Sequence, residues 1–188
     1  TDIEGTNIDR GFVAHLSLTA LQAVAASANG VHAAITDTGA PVTVTTAITN
    51  PVYPRNITAT AGGTAGDIKA IQVVITGTNI NDEVITETLP AFTVDTAGIV
   101  TGSKAFKTVT SIAIPAHDGT GATTAIGWGD KLGLPYKRAH YPHIGTFLNN
   151  TLEGTAPTFV ASTSAEESNT IDLNSALNGT VVDAYFIV

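Results

Sequence analysis

At 188 residues with no cysteine, the chain suits one domain with appendages or two very small domains, held together by packing, strand pairing and assembly without disulfides or thiolate chemistry. Charged residues make up only 13% of it, against about 25% in an ordinary globular domain, so part of its surface is expected to be covered by other chains. A net charge of -8 argues against nucleic acid, because phosphate binding needs clustered Lys and Arg and the densest basic group is Lys137-Arg138. No run approaches the eighteen or so apolar residues of a membrane helix. The start, Thr1-Asp2-Ile3-Glu4, lacks the basic and apolar regions of a secretory leader. A soluble chain with no membrane partner is expected.

In chain order, Gly11 to Val31 holds the one helix the pattern supports. Thr19-Ala20-Leu21-Gln22 fits a capping box, Asn29-Gly30 supplies a left-handed stop, and Leu21, Val24, Ala25 and Ala28 form a narrow apolar stripe. Such a helix covers one end of a β-core or reaches as an arm onto an adjacent subunit. From Pro41 the period changes to two, with Val42, Val44 and Thr46 alternating against Thr43, Thr45 and Ala47, the pattern of a half-buried strand. Pro51 and Pro54 lack ladder donors and mark a strand edge or linker, which places a boundary at Asn50.

Ala61 to Asp67 reads as a flexible connection into Ile68–Thr76, the most β-prone run. Gly77-Thr78-Asn79-Ile80-Asn81-Asp82 turns that run back into Glu83–Leu89 as a hairpin. Phe92–Val94, Ile99–Thr101 and Ala105–Ile114 continue the series. His117-Asp118-Gly119 signals a type I′ turn, and Trp128 ends a further short strand. After Pro135 the aromatics Tyr136, Tyr141 and Phe147 cluster. Val181 to Val188 forms a last strand so apolar that it must be paired or covered, with Val182, Ala184, Phe186 and Val188 on one face. Strands with turns every eight to twelve residues predict a mainly β chain, an antiparallel β-sandwich or barrel with one short N-terminal helix and extended terminal segments. The expected division is 1–49 as an N-terminal arm with the helix, 50–136 as the β-sandwich core, and 137–188 as a C-terminal segment with the final strand.

Residues that could carry chemistry do not converge. His140 and His143 have a His-x-x-His spacing, but Pro142 breaks the helix that would align them and no third ligand follows. The aspartates form no alternating calcium loop. Glu83 and Glu87 fall on one strand face, where a solvated edge explains them. No nucleophile elbow or complete phosphate loop is present. Asn56-Ile57-Thr58, Asn149-Asn150-Thr151 and Asn178-Gly179-Thr180 fit the glycosylation pattern, as chance provides in a chain this rich in Thr. The chain is therefore expected to be no enzyme and to need no cofactor or metal.

Five phrases carry more specific information: Asn50-Pro51-Val52-Tyr53-Pro54-Arg55-Asn56-Ile57-Thr58-Ala59-Thr60, Ile68 to Thr78, Glu83 to Pro90, Gly102 to Ile112, and Gly129-Asp130-Lys131-Leu132-Gly133-Leu134-Pro135. Together they resemble a module common in small virion structural proteins of tailed bacteriophages and prophages, over roughly the middle half of the chain. The resemblance implies a head decoration, or cement, protein. Such a protein assembles in the host cytoplasm, sits on the capsid exterior, partners the major capsid protein and forms a homo-oligomer, expected as a homotrimer. In that reading Leu21, Val24, Tyr136, Tyr141, Tyr185 and Phe186 are the expected partner-binding side chains. A tail tube or neck protein is the runner-up. A carbohydrate-binding surface module, with Trp128, Tyr136 and Tyr141 as its stacking platform, is the third class. A major capsid subunit is not expected, because it needs a long spine helix.

Overall fold

The computed structural model describes residues 11–188; the first ten, which begin the expected arm, lie outside the described residues. The strands are β1 (Val13–Leu18), β2 (Ser27–Thr36), β3 (Val42–Val44), β4 (Arg55–Gly63), β5 (Val74–Thr78), β6 (Val84–Thr88) and β7 (Gly98–Phe106). They continue as β8 (Thr108–Ile114), β9 (Ala122–Gly133), β10 (His143–Leu148), β11 (Thr151–Leu152), β12 (Thr158–Val160), β13 (Thr170–Asp172) and β14 (Val182–Ile187). The chain is mainly β, as its period-two patterning predicts, and one of its antiparallel sheets curls into a half-barrel.

A central sheet runs β12-β13-β9-β4-β7, with β2 also on β9; a second runs β3-β8-β5-β6; a terminal sheet runs β1-β14-β10-β11. In β4 the alternation is plain in the sequence. Ile57, Ala59 and Ala61 enter the core, while Asn56, Thr58 and Thr60 take the other face. These residues meet Val44, Ile75, Ile85, Val109, Ile112 and Ile114 of the second sheet in one apolar cluster. A second cluster joins Ala14, Leu18, Val182, Ala184 and Phe186 of the terminal sheet to Leu132, Leu134, Tyr141 and Ile171. Strand β9 serves both, with Ile126 in the first and Leu132 in the second. Pairing crosses the expected boundaries on both sides. The N-terminal β2 and β3 bond to β9 and β8, and the C-terminal β13 bonds to β9.

The expected N-terminal helix is not formed. Val13–Leu18 is a strand zipped in register onto β14, from Val13 opposite Ile187 to Leu18 opposite Val182. The capping-box contacts do form, around a single turn. The Thr19 amide donates to Gln22 Oε1 at 3.0 Å and the Gln22 amide to Thr19 Oγ1 at 3.4 Å. A helix of one or two turns is marginal by itself, whereas the strand gains a full ladder and buries Ala14 and Leu18. Asn29-Gly30, read as a helix stop, lies inside β2. There a Cβ on Gly30 would come 2.7 Å from the Trp128 ring, which explains the glycine. The hairpin of β5 and β6 is as expected, closed between Thr78 and Val84. The strand starts only at Val74, however, and Ile68, Ile71 and Val73 are buried in irregular backbone. Gly119 lacks the left-handed backbone of a type I′ turn; among the described residues the glycines with positive φ are Gly39, Gly63 and Gly179.

Two polar devices hold the sheets together. Arg55, 1% exposed, lies between the two apolar clusters, where Nη1 donates to the Val24 carbonyl at 2.9 Å and Nη2 stands 3.6 Å from Asp130 Oδ1. Arg55 Nε and Nη2 and Asp130 Oδ1 have no hydrogen-bond partner among the described residues. Burial lowers the Arg55 pKa against the pull of Asp130. Burial raises Asp130, opposed by Arg55 and by the amides of Leu177 and Ala26. The second device closes the seam between β6 and β7. Glu87, on the buried face of β6 with Ile85 and Leu89, accepts from the Ser103 amide at 2.7 Å, the Ser103 hydroxyl at 2.9 Å and the Lys104 amide at 3.3 Å. Lys104 Nζ returns a bond to the Thr86 carbonyl at 3.0 Å. Glu87 is therefore not on the solvated edge expected from its spacing with Glu83.

Candidate assembly surface

The final strand is central, as its two apolar faces require. Strand β14 lies between β1 and β10, and Phe186 on its inner face packs edge-on against Tyr141 and Phe159 at 5.6 and 5.5 Å. The outer face of the same sheet has no layer over it among the described residues. Alternation brings Val13, His15 and Ser17 of β1, Asp183, Tyr185 and Ile187 of β14, Phe147 of β10 and Leu152 of β11 to that side. Val13 is 63% and Leu152 60% exposed. A two-residue turn, Asn149-Asn150, with φ of 52° and 59°, joins β10 to β11 and sets Leu152 beside Phe147. The left-handed turn explains the paired asparagines.

The centre of the face is ordered by ring stacking and a His–carboxylate hydrogen bond. His15 lies flat on Tyr185, with centroids 4.3 Å apart and planes 8° apart, and Phe147 meets Tyr185 edge-on at 6.2 Å. His15 Nε2 is 2.7 Å from Asp183 Oδ1. Hydrogen bonds from His15 and Ser17 lower the Asp183 pKa. A shallow open depression of about 570 Å³ is lined by Phe147, Asn150, Asp183 and Tyr185. It presents two aromatic rings, an amide and one hydrogen-bonded carboxylate.

The expected partner-binding residues divide between surface and core. Tyr185 is on the outer face, and Tyr136 is exposed beside the β1 edge. Leu21 is exposed at the turn after β1, and Val24 is half-buried with its carbonyl committed to Arg55. Phe186 and Tyr141 belong to the core. Tyr141 is 6% exposed, its hydroxyl donates to the Tyr136 carbonyl at 2.6 Å, and burial drives its pKa to about 12. Val13, His15, Phe147 and Leu152, which also lie on this outer face, are not among the expected partner-binding side chains. Period-two alternation over Val13–Leu18 is the signal that would have found the first two.

The sugar platform of Trp128, Tyr136 and Tyr141 is not assembled. Trp128 packs on Gly30 and donates Nε1 to the Ala25 carbonyl at 3.2 Å, while Tyr141 is buried in the other cluster. His143 Nε2 pairs with Thr146 Oγ1 at 2.8 Å, and no three His, Asp or Glu side chains converge as a metal site among the described residues. No described helix is long and apolar enough to cross a membrane. Comparisons of the chain with family models, with curated proteins and with solved structures return no match.

Proposed function

We propose that the chain is a head decoration protein of a tailed bacteriophage, seated on the capsid exterior and clamping neighbouring major capsid subunits. One observation carries the reading: the outer face of the terminal sheet, with Val13, Tyr185, Phe147 and Leu152 in one apolar patch around His15 and Asp183. Monomeric proteins rarely leave a broad apolar patch uncovered. The low charge of the chain and its resemblance to virion proteins point the same way. Clamping needs no chemistry beyond burial. Each Val, Leu or Phe side chain fully taken from water contributes about 1.5–3 kcal/mol, and many such contacts on one shell add through multivalency.

The test is co-sedimentation with undecorated heads of the encoding phage, read as copies bound per capsid subunit. Wild-type protein is expected to saturate at a fixed ratio. Leu152→Asp combined with Val13→Asp should cut affinity by at least tenfold while leaving the melting temperature within a few degrees, because both side chains already face water. Absence of binding to heads, or binding confined to rings on tails, overturns the proposal.

A further inference from the structure

A β-sheet edge is a row of unpaired amides and carbonyls, and natural proteins cover or break such edges. Most edges of this fold are so treated. The amides of β7 at Ser103 and Lys104 are taken by Glu87, and the Thr86 carbonyl of β6 by Lys104. Strand β2 is broken by two register irregularities, and β3, β11 and β12 are only two or three residues long. Strand β1 is different. It is six residues long and regular, with no Lys, Arg, Asp or Glu. Phe12 and Val188 exchange both backbone bonds, at 3.0 and 2.9 Å. By antiparallel alternation the amides and carbonyls of Val13, His15 and Ser17 then point away from β14. None of them has a bond partner among the described residues.

We propose that β1 is a self-association edge: it pairs antiparallel with β1 of a second copy about a two-fold axis through His15, joining two four-stranded sheets into one. In that register Val13 faces Ser17 of the copy and His15 faces His15, and about six new backbone bonds form. The side chains are self-complementary. On the inner side Leu16 falls opposite the small Ala14 of the copy, next to a groove of about 70 Å³ lined by Ala14, Leu16, Tyr53, Leu134, Tyr136 and Phe186. Half-buried Leu16 and exposed Tyr136 are thereby covered. A second copy is the occupant these features favour, because the edge matches its own small-against-large pattern and has no Lys, Arg, Asp or Glu to select a different strand. The pairing also makes the two outer faces continuous, doubling the patch assigned above to the shell. It shares only that sheet with the functional proposal and is tested in solution without heads, so either can fail alone.

The full chain at tens of micromolar should sediment with the mass of two copies. Ser17→Pro removes one outward amide without touching the β14 ladder and should weaken association at least tenfold with the circular dichroism spectrum retained. The chain has no cysteine, so His15→Cys gives a clean second reading. Mild oxidation should yield a disulfide-linked dimer, whereas Val84→Cys, on the β6 edge, should stay unlinked. A monomeric mass overturns the proposal, as does the trimeric mass expected of decoration proteins. So does a dimer in which His15→Cys does not cross-link, whether or not Ser17→Pro folds.

Discussion

Removing Arg55 tests whether the two apolar clusters are held together by charge or merely tolerate it. In Arg55→Met the Val24 carbonyl loses its 2.9 Å donor, and Asp130, whose side chain is 24% exposed, loses its countercharge. Breaking a buried pair from one side costs about 3–5 kcal/mol. In a domain of this size that amounts to about 6–20 °C of melting temperature. The pair is poorly matched, at 3.6 Å with Arg55 Nε and Nη2 unbonded. Replacing both partners, as Arg55→Met with Asp130→Leu, should therefore restore stability to within about 1 kcal/mol of wild type. The sign with pH is also fixed. A carboxyl whose folded pKa is raised stabilises the fold at low pH, and that contribution is lost as pH rises past its unfolded value of about 3.9. Without Arg55 the Asp130 carboxyl rises further, so the single variant should recover part of its loss as pH is lowered from 7 toward 4. Urea unfolding of the double-mutant cycle at both pH values measures this. A single variant as stable as wild type, or a double variant as poor as the sum of the singles, refutes the argument.

Glu87→Ala leaves the amides of Ser103 and Lys104 without their acceptor and should cost about 2–3 kcal/mol in urea unfolding, with Glu87→Gln losing less. His117 is buried, its Nδ1 accepts from the Lys69 amide at 3.1 Å, and its Nε2 therefore donates to Thr124 Oγ1 at 3.0 Å. Burial holds its pKa below the usual value against the pull of Asp37 and Asp118, so the neutral form is the folded one. Stability is full above about pH 6.5 and falls as pH drops below it; melting scans from pH 7.5 to 5 should show the fall, and His117→Gln should flatten it. Phe186→Ala should cost about 3–5 kcal/mol, and deletion of Tyr185 to Val188, which separates β1 from β10, should leave insoluble protein on expression; a soluble, cooperatively melting truncation contradicts the central position of β14.

The β class, the hairpin of β5 and β6 and the central last strand were legible because their information is local: alternation, turn residues and an apolar run too long to leave unpaired. What was misread depended on partners far along the chain. Thr19 to Gln22 has the local chemistry of a helix start, but β14, more than 160 residues away, offers Val13–Leu18 a ladder that no helix of that length can match. Glu87 looks like a solvated edge residue until β7 folds its amides over it. Tyr141 and Phe186 look like contact aromatics, and become core once β13 brings Ile171 against Leu132. The outer face was missed for the same reason, because His15 and Tyr185 become neighbours only when the two ends of the chain pair.

How the fold treats its edges links these observations to assembly. Reciprocal capping by Glu87 and Lys104 ties the β6–β7 seam with side chains that bond to backbone, so a foreign strand docking at Thr86, Ser103 or Lys104 must first break about four bonds. The same chain leaves β1 regular, free of Lys, Arg, Asp and Glu, and uncapped among the described residues, beside the outer face that carries Val13, Tyr185, Phe147 and Leu152. One open edge related to itself by a two-fold axis gives a closed pair, whereas two open edges of unlike sequence would give an unending sheet. Guarding β6 and β7 is thus the condition under which an open β1 is safe. Glu87→Ala combined with Lys104→Ala should convert a finite assembly into one whose light scattering grows with time and concentration, and a double variant that remains a clear, discrete species would show that the seam has no part in limiting assembly.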